Sequence, residues 1–279
     1  MNIETMPHIR IERREGVGIL TIARRERFNS LDVETAQDLR KAGIQLSRDR
    51  DVRAVVLRGE GNVFCSGADL KYIAAGGDDD VAYLAPDAKP STVGYGAVFK
   101  QILEYIHSTI SEIRRAPKPW IACVDGPAAA GGLGIAMACD LVIASEHATF
   151  EWAYFKTGLT GAESTTFLLP RLVGLRKAME LVLLGPRLSA HEALDIGLIN
   201  EVTEDADERA LHLATQLATA PTTAVGVAKN LLNRAAGMER LDTHLDAELA
   251  ELTRIANGPN FAEGLAAFFE RRHPRFGVE

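Results

Sequence analysis

Two short glycine-containing stretches in this sequence are suited to stabilising negative charge. The first reads CSGADL at residues 65–70, and the second reads PAAAGGLG at residues 127–134. Each follows an apolar run that predicts a buried strand, and each leads into a predicted helix. Backbone N–H groups at such a turn are free to donate hydrogen bonds, and the positive end of the helix adds to their attraction for an anion. If both turns converge on one oxygen atom, they would stabilise charge that develops there during a reaction.

The small residues in these stretches also have an explanation that involves no chemistry. Close packing of a helix on a strand favours glycine and alanine, and each stretch alone is equally compatible with such packing. A ligand would require small residues for a different reason, because a branched side chain blocks its approach to the amide. The presence of two such stretches, each after a buried strand, is what favours a binding site.

Charge and cysteine content exclude several classes of function. The formal net charge of -7 opposes binding to nucleic acid, which depends on clustered Lys and Arg. The three cysteines (Cys65, Cys123 and Cys139) lack metal-ligand or redox spacing, so we expect buried free thiols in a reducing compartment and no metal site. The charged N-terminus has no signal-peptide core, and no run approaches the roughly 18 apolar residues of a membrane span. We therefore predict a cytoplasmic protein with no nucleic-acid or membrane partner.

Strands and helices alternate in the first half of the chain. The predicted elements are a hairpin at 8–24 that turns at 16–18, a helix with Asp32 as N-cap, a strand at 53–59, a helix at 95–115 and a strand at 120–124. A helix of small residues is predicted after the second glycine stretch, and it ends near Asp140. This order predicts a mixed sheet with helices packed outside it.

Helices dominate the second half of the chain. Ser189 and Glu192 form a predicted capping box, and residues 241–256 and 260–272 have amphipathic helical patterns. The segment 76–93, with three consecutive aspartates and two prolines, breaks the pattern and is predicted to be a solvated surface loop or a lid.

Six stretches, taken in order, resemble the enoyl-CoA hydratase/isomerase family, also called the crotonase superfamily. They are ERFNSLD (26–32), AVVLRGEGNVFCSGADL (54–70), KPWIACVDGPAAAGGLGIAMACDLVIAS (118–145), LPRLVGLRKAMEL (169–181), LSAHEALDIGLINEV (188–202) and FFERRHPRF (268–276). Several matching stretches in the right order are far more specific than any single motif.

The resemblance implies a fold, an assembly and a substrate class. The fold would be α/β, a crotonase-like spiral of ββα turns over residues 1–200 with a helical C-terminal trimerisation region over 201–279, in a homotrimer or homohexamer. The substrate would be an acyl-CoA thioester, and CoA would enter only as part of that substrate, with no separate cofactor. The amides of Ala68 and Gly131 would form the oxyanion hole for an enolate-like thioester oxygen.

The same resemblance shows where this chain departs from the family's hydratases. Those enzymes use two glutamates, and the matching positions here are Gly134 and Tyr154. A site without these carboxylates lacks the pair that positions and activates water. Ordinary hydration is therefore disfavoured.

Glu163 is the leading candidate for the proton-transfer base. Isomerases and a dehalogenase of the family place an acid in a segment that resembles residues 158–174, where an ungapped match falls on Ala162, one residue before Glu163. Burial beside a pocket would raise the pKa of such a carboxyl to a useful value. The alternative is a glutamate at a helix N-terminus, favoured by the helix dipole.

Other residues are weaker candidates. Tyr154 is expected to donate a hydrogen bond to substrate or to pack in the core. Glu151 and Trp152 flank it and are candidates for the lining of the acyl pocket. His107 is predicted to be a core or solvated histidine, and Asp69 a helix-start residue. The candidates for binding CoA are Arg24, Arg25, Arg27 and Ser66, together with Ala68, and Arg271 or Arg272 from another subunit.

Double-bond isomerisation agrees best with one candidate carboxylate, because it needs one base. Enoyl-CoA hydration, thioester hydrolysis and a catalytically degenerate acyl-CoA binder remain the alternatives. A dinucleotide-binding oxidoreductase is disfavoured, because GPAAAGG is not the glycine fingerprint of that class.

Overall fold

The computed structural model describes residues 2–77 and 94–277. Of the 76–93 segment, residues 78–93 lie outside this description, and so does the lid prediction made for them. The described strands are β1 (Asn2–Thr5), β2 (Ile9–Arg14), β3 (Val17–Ile22), β4 (Ala54–Gly59), β5 (Trp120–Val124), β6 (Pro127–Ala129), β7 (Leu141–Ser145), β8 (Thr149–Glu151), β9 (Arg187–Ser189) and β10 (Glu201–Thr203).

Eleven α-helices fall within the same described ranges. They are α1 (Val33–Arg48), α2 (Leu70–Ala74), α3 (Tyr95–Arg115), α4 (Gly131–Ala138), α5 (Thr165–Leu172), α6 (Leu175–Leu184), α7 (Ala190–Asp195), α8 (Ala206–Thr219), α9 (Thr222–Ala235), α10 (Leu241–Ala256) and α11 (Pro259–Glu270). The predicted helix at 95–115 and strand at 120–124 are confirmed. No helix in these ranges has the length and apolar character needed to cross a membrane.

The larger sheet has the strand order β1-β2-β3-β4-β5-β7-β10. The first three strands are antiparallel, and each pair from β3 onward is parallel. Helices cover both faces. Side chains of β4 alternate between the two, so Val55 and Leu57 pack with the α1 and α3 side while Ala54 and Val56 pack with α8. The alternation follows from the two-residue period of a strand.

The hairpin at the start of the chain turns earlier than its sequence suggests. Glu15 and Gly16 form the turn, with φ of 49° and 82°, and Val17 already pairs with Arg14. The predicted turn at 16–18 is therefore wrong in position. Gly18 lies in β3 and is small for another reason, because a Cβ there would lie 2.7 Å from Cδ2 of Leu46 on α1.

Local signals at helix starts are confirmed. The carboxylate of Asp32 accepts a hydrogen bond from the N–H of Thr35 at 2.8 Å and caps α1. Ser189 and Glu192 form the predicted capping box at α7. Such caps depend on residues three positions apart, so the sequence alone reveals them.

A small second sheet fixes the start of α4. Its order is β6-β8-β9, with β6 parallel to β8 and β8 antiparallel to β9. Strand β6 is the first part of the second glycine stretch, so α4 begins where this sheet ends. In the C-terminal region, α10 packs on α3 and α5, and α11 packs on a short 3-10 helix at Ala153–Thr157. The proposed boundary at residue 200 and the cytoplasmic location stay predictions.

Candidate active site

The two glycine stretches lie side by side. The N–H of Cys65 donates to the carbonyl oxygen of Pro127 at 3.2 Å, and the N–H of Ala129 donates to the carbonyl oxygen of Cys65 at 3.0 Å. Gly67 has φ of +89°, and a Cβ there would lie 3.2 Å from the backbone nitrogen of Gly131. Glycine suits this position because it adopts positive φ readily and lets the first loop approach the start of α4.

The amides of Ala68 and Gly131 have no hydrogen-bond acceptor in the described parts of the chain. Leu31 pairs with the residues on either side of Ala68, accepting from the N–H of Asp69 at 2.8 Å and donating to the carbonyl oxygen of Gly67 at 2.9 Å. Gly131 is the first residue of α4, so its amide lacks an intrahelical partner. Both residues line the same cavity.

That cavity has a volume of about 340 Å³ and combines an apolar wall with a few charged groups. Its apolar lining includes Leu70, Phe99, Leu159 and Phe268. Its polar and charged lining includes Glu26, Arg27, Ser30, Ser66, Asp69, Lys71, Tyr154, Lys156, Thr157 and Glu163. The structure therefore brings Ala68, Gly131, Tyr154 and Glu163 together with Ser66 and Arg27 around one cavity.

Glu163 is buried against the first turn of α4, with 2% of its surface exposed. A Cβ on Gly131 would lie 2.8 Å from Oε1 of Glu163, and a Cβ on Gly134 would lie 2.1 Å from its carbonyl oxygen. The missing side chains of both glycines leave the space that Glu163 occupies. Position 134, one of the two at which the resemblance predicts a glutamate in hydratases, is thus covered by the backbone and Cβ of Glu163.

Tyr154 also contacts Glu163. Its hydroxyl donates to Oε2 of Glu163, and the carbonyl oxygen of Ala162 lies 3.2 Å from the same hydroxyl. Trp152 packs on Tyr154 with ring centroids 5.1 Å apart and donates from Nε1 to Oγ1 of Thr165 at 3.3 Å. Both positions of the absent glutamates, 134 and 154, therefore lie against Glu163.

Burial raises the pKa of Glu163 to about 8, although the hydrogen bond from Tyr154 acts in the opposite direction. The nearby carboxylate of Glu248 contributes to the increase. Burial and the charge of Glu163 raise the pKa of Tyr154 well above its ordinary value, so Tyr154 keeps its proton. A carboxyl with a pKa near neutrality can both accept and return a proton.

The backbone at Glu163 is in the left-handed region, with φ of 50°. Its N–H donates to Nε2 of His107 on α3 at 3.2 Å. Burial lowers the pKa of His107 to about 4, so the ring is neutral and Nε2 is the acceptor nitrogen. Of the two expectations for His107, a core or a solvated histidine, the structure shows the core one. Its contact with the Glu163 backbone is an addition that the sequence did not reveal.

Glu248 of α10 holds the residues after Glu163. Its carboxylate accepts from the N–H of Ser164 at 2.8 Å and from the N–H of Thr166 at 3.0 Å. A signal for this residue does exist in the sequence. Glu248 interrupts the buried stripe of α10, whose other members are Leu241, Leu245, Leu252 and Ala256. A carboxylate on a buried stripe requires hydrogen-bond donors.

Asp69 joins the first loop to the arginine cluster. It accepts from the N–H groups of Lys71 and Tyr72 and so caps α2, as predicted. Arg24 donates from Nη1 to Oδ2 of Asp69 at 2.8 Å, and Arg27 donates to the same oxygen at 3.0 Å. Burial alone would raise the pKa of Asp69, but these hydrogen bonds outweigh it and lower the pKa to about 2. Asp69 is therefore a fixed anion that supports the loop.

The three arginines proposed for CoA differ in their surroundings. Arg24 is buried and also pairs with Asp32, so it lies beneath the first loop, outside the cavity lining. Arg27 lines the cavity, whereas Arg25 is exposed. Near the C-terminus Arg271 is exposed, and Arg272 pairs with Glu263.

Two further candidates lie outside the cavity lining. Trp152 packs behind Tyr154, and Glu151 is buried in ion pairs with Lys156 and Arg187. The expectation of buried free cysteines is confirmed for all three. Burial raises the pKa of Cys65 to about 12, so it is no thiolate nucleophile at neutral pH. Across residues 2–77 and 94–277, no three His, Cys, Asp or Glu side chains cluster as metal ligands.

Comparison with known proteins gives consistent results. The sequence model described as enoyl-CoA hydratase/isomerase matches residues 12–91 and 96–279. The chain is 34% identical over 263 residues to 4-chlorobenzoyl coenzyme A dehalogenase-2 of an Arthrobacter species, with 94% of this chain and 90% of the relative covered. It is 35% identical over 264 residues to 1,2-epoxyphenylacetyl-CoA isomerase of Escherichia coli strain K12, with 94% and 95% covered.

A solved structure supports the same assignment. An enoyl-CoA hydratase from Mycobacterium avium subsp. paratuberculosis K-10 superimposes with a TM-score of 0.84, at 30% identity, covering 98% of this chain and all of that one. The predicted α/β crotonase-like fold is thereby confirmed, and the trimerisation role of the C-terminal region stays a prediction. The chain belongs to the enoyl-CoA hydratase/isomerase family, the crotonase superfamily, and it is an acyl-CoA enzyme of that family.

Proposed function

We propose that this enzyme moves a double bond in an enoyl-CoA by proton abstraction and return through a thioester enolate. The observation that carries the proposal is the position of Glu163. Among the described residues that line the cavity, it is the carboxyl that is buried beside Gly131 and has no cationic partner. Glu26 is exposed, and Asp69 is held by two arginines.

The amides of Ala68 and Gly131 would hold the thioester oxygen. Both lack an acceptor within the described chain, and both face onto the cavity lining. When a proton leaves the carbon next to the thioester, charge moves to the carbonyl oxygen. Hydrogen bonds from fixed amides to that oxygen are stronger in the charged state than in the ground state, so they lower the barrier.

Glu163 would transfer the proton between the two carbons. Its carboxylate takes the proton from the carbon between the thioester and the double bond, and the electron pair forms the enolate. The resulting carboxylic acid then gives the proton to the far carbon of the former double bond while the enolate carbonyl re-forms. One carboxyl with a pKa near neutrality performs both steps, and the atoms balance without water.

Hydration is the less favoured reaction for a geometric reason. The two positions that carry glutamates in the family's hydratases are Gly134 and Tyr154, and both contact Glu163 instead. A single carboxyl does not provide the separate groups that bind water and protonate the product. Thioester hydrolysis and acyl-CoA binding without turnover are further outcomes that the experiment below distinguishes.

The CoA portion would bind near the arginine cluster. Arg27 lines the cavity and Arg25 is exposed close to it in sequence, whereas Arg24 would act through Asp69 by holding the first loop. Ser66 lines the cavity and would contact the thioester end. Guanidinium groups suit phosphates because they donate two parallel hydrogen bonds.

A homotrimer or homohexamer is the proposed assembly. Helices α6 and α9 expose large apolar side chains to solvent in the single chain, namely Leu175, Met179, Leu183, Leu184, Val227, Leu231 and Leu232. Apolar faces of this kind are typical of surfaces that a partner covers. Light scattering after size-exclusion chromatography should give three or six times the mass of one chain, and a monomer would contradict the proposal.

The function is tested by incubating the enzyme with a panel of 3-enoyl-CoA and 2-enoyl-CoA thioesters in heavy water. Chromatography gives the position of the double bond, and mass spectrometry gives the atoms gained. We expect a shifted double bond, with at most exchange of hydrogen for deuterium and no addition of water. Addition of a water molecule would mean hydration, free CoA would mean hydrolysis, and binding without any product would mean a catalytically degenerate protein.

A further inference from the structure

We propose that Glu248 is a positioning residue that holds the turn carrying Glu163 and whose charge acts on the Glu163 carboxyl. The inference rests on the proposed role of Glu163. It adds a residue from α10, which lies 85 positions after Glu163 in the sequence. Glu248 acts through Glu163 and is outside the cavity lining, so it is not a catalytic residue.

The turn before α5 needs support from outside. Glu163 and Ser164 have φ of 50° and 64°, two successive left-handed residues that are not glycine. Such backbone persists only where the surroundings enforce it. His107 fixes one side by accepting the N–H of Glu163, and the N–H of Thr165 donates to the carbonyl oxygen of Ala162 at 3.0 Å. The amides of Ser164 and Thr166 need acceptors from elsewhere.

Helix α5 has no cap from its own N-cap residue. The side chain of Ser164 makes no capping hydrogen bond, and its hydroxyl oxygen is buried without a partner in the described residues. Glu248 supplies the missing acceptor from another helix. It takes the N–H groups of Ser164 and Thr166, and also the hydroxyl of Thr166. A carboxylate at this end also interacts favourably with the helix dipole.

Among the described residues, no lysine or arginine pairs with the carboxyl of Glu248. His244 lies 3.7 Å from Oε1, but burial lowers the pKa of that imidazole. Burial raises the pKa of Glu248 itself, while the hydrogen bonds from the Thr166 hydroxyl and the N–H of Ser164 oppose the increase. Because the groups that contact its oxygens are donors, the ionised form fits the site.

The charge of Glu248 acts on Glu163 in a defined direction. It raises the pKa of Glu163, and it also raises the pKa of Tyr154. The other titratable groups around Glu163 are the hydroxyl of Tyr154 on the 3-10 helix, the imidazole of His107 on α3 and the thiol of Cys65 on the first loop. Helix α4 has no titratable side chain. Charged groups that share the cavity lining are Glu26, Arg27, Asp69, Lys71 and Lys156.

The test compares Glu248→Gln with Glu251→Gln. Both remove one negative charge from α10, but Glu251 is exposed and pairs with Arg254. For Glu248→Gln we expect kcat to fall by up to about 100-fold through misplacement of Glu163, with KM little changed because Glu248 does not line the cavity. The limb of the pH profile where activity rises with pH should move to lower pH, because the carboxyl of Glu163 ionises more readily without its neighbour's charge.

Several outcomes decide the proposal. If folded Glu248→Gln has the kcat and pH profile of Glu251→Gln, the proposal is wrong. If Glu248→Gln does not fold, Thr166→Val removes the hydroxyl that donates to Glu248 and contacts His244, and it leaves both carboxyls in place. We then expect a lower kcat at unchanged KM. Unchanged kcat in Thr166→Val would then overturn the proposal. Full activity in Glu163→Gln would instead contradict the proposed function itself, so the two failures are distinguishable.

Discussion

The carbonyl oxygen of Glu163 lies where a side chain on Gly134 would begin, since a Cβ built there would be 2.1 Å from that oxygen. The two positions are 29 residues apart in the sequence, yet a side chain at 134 and the backbone at 163 would occupy the same space. A carboxyl at 134 and the present turn at 163 therefore exclude each other. In this chain the turn that carries Glu163 occupies the space beside Gly134.

Gly134→Ala should damage both stability and activity. The added methyl group collides with backbone, which cannot rotate away, so we expect a loss of about 1–3 kcal/mol in the free energy of unfolding and reduced turnover as Glu163 is displaced. Gly43→Ala on α1 is the control, because its Cβ would meet Thr109 at an ordinary 3.4 Å. Urea unfolding and turnover assays measure both effects, and equal behaviour of the two variants would refute the steric argument.

Ala68→Pro should abolish turnover while the fold is kept. Proline removes the N–H that is proposed to hold the thioester oxygen, and the loss of one such donor costs about 100-fold to 1,000-fold in kcat. Ala68→Gly keeps the amide and should retain most activity. Circular dichroism and turnover on the same samples separate the two effects. Wild-type rates in a folded Ala68→Pro protein would contradict the oxyanion assignment.

Tyr154→Phe should shift the pH profile upward. The hydrogen bond from Tyr154 lowers the pKa of Glu163, so its removal leaves a carboxyl that ionises at higher pH. The limb where activity rises with pH should therefore move to higher pH, opposite to the shift expected for Glu248→Gln. Tyr105→Phe is the control, because that hydroxyl accepts from Gln37 and lies outside the described cavity lining. A profile identical to wild type would show that the contact does not influence Glu163.

Stability should depend on pH through Glu163. The pKa of this carboxyl is about 8 in the folded protein and about 4.3 in an unfolded chain. Between these values the folded state binds more protons than the unfolded state, so stability falls as pH rises through the window. Glu163→Gln removes this dependence. The difference in free energy of unfolding, variant minus wild type, should therefore increase as the pH rises from about 5 to about 9. A constant difference across that range, measured by urea unfolding, would contradict the raised pKa.

Features set by neighbouring residues were predictable from the sequence. The caps at Asp32 and Asp69 and the capping box at Ser189 follow from spacings of two or three residues. The end of α3 before Pro117 follows from the restriction that proline imposes on the chain. The predicted position of the hairpin turn was wrong because Gly18 is small for packing against Leu46 of α1, and the sequence does not show that contact.

The surroundings of Glu163 were not predictable in the same way. The sequence indicated the residue and its loop, but its partners His107 and Glu248 come from α3 and α10. Nothing local in those helices indicates that their side chains reach one turn. The one sign in the sequence was the position of Glu248 on the apolar stripe of α10, which predicts a buried carboxylate. Such a carboxylate needs hydrogen-bond donors, but the sequence does not show which residues supply them.

The central claim, that Glu163 transfers the proton, is tested most directly by the rate of double-bond migration in Glu163→Gln. Glutamine preserves the shape of the side chain and removes its basicity. With 3-enoyl-CoA as substrate we expect a loss of about 100-fold or more against wild type. Glu180→Gln, an exposed carboxylate paired with Lys177, should behave as wild type. Near-wild-type migration by a folded Glu163→Gln protein would contradict the account.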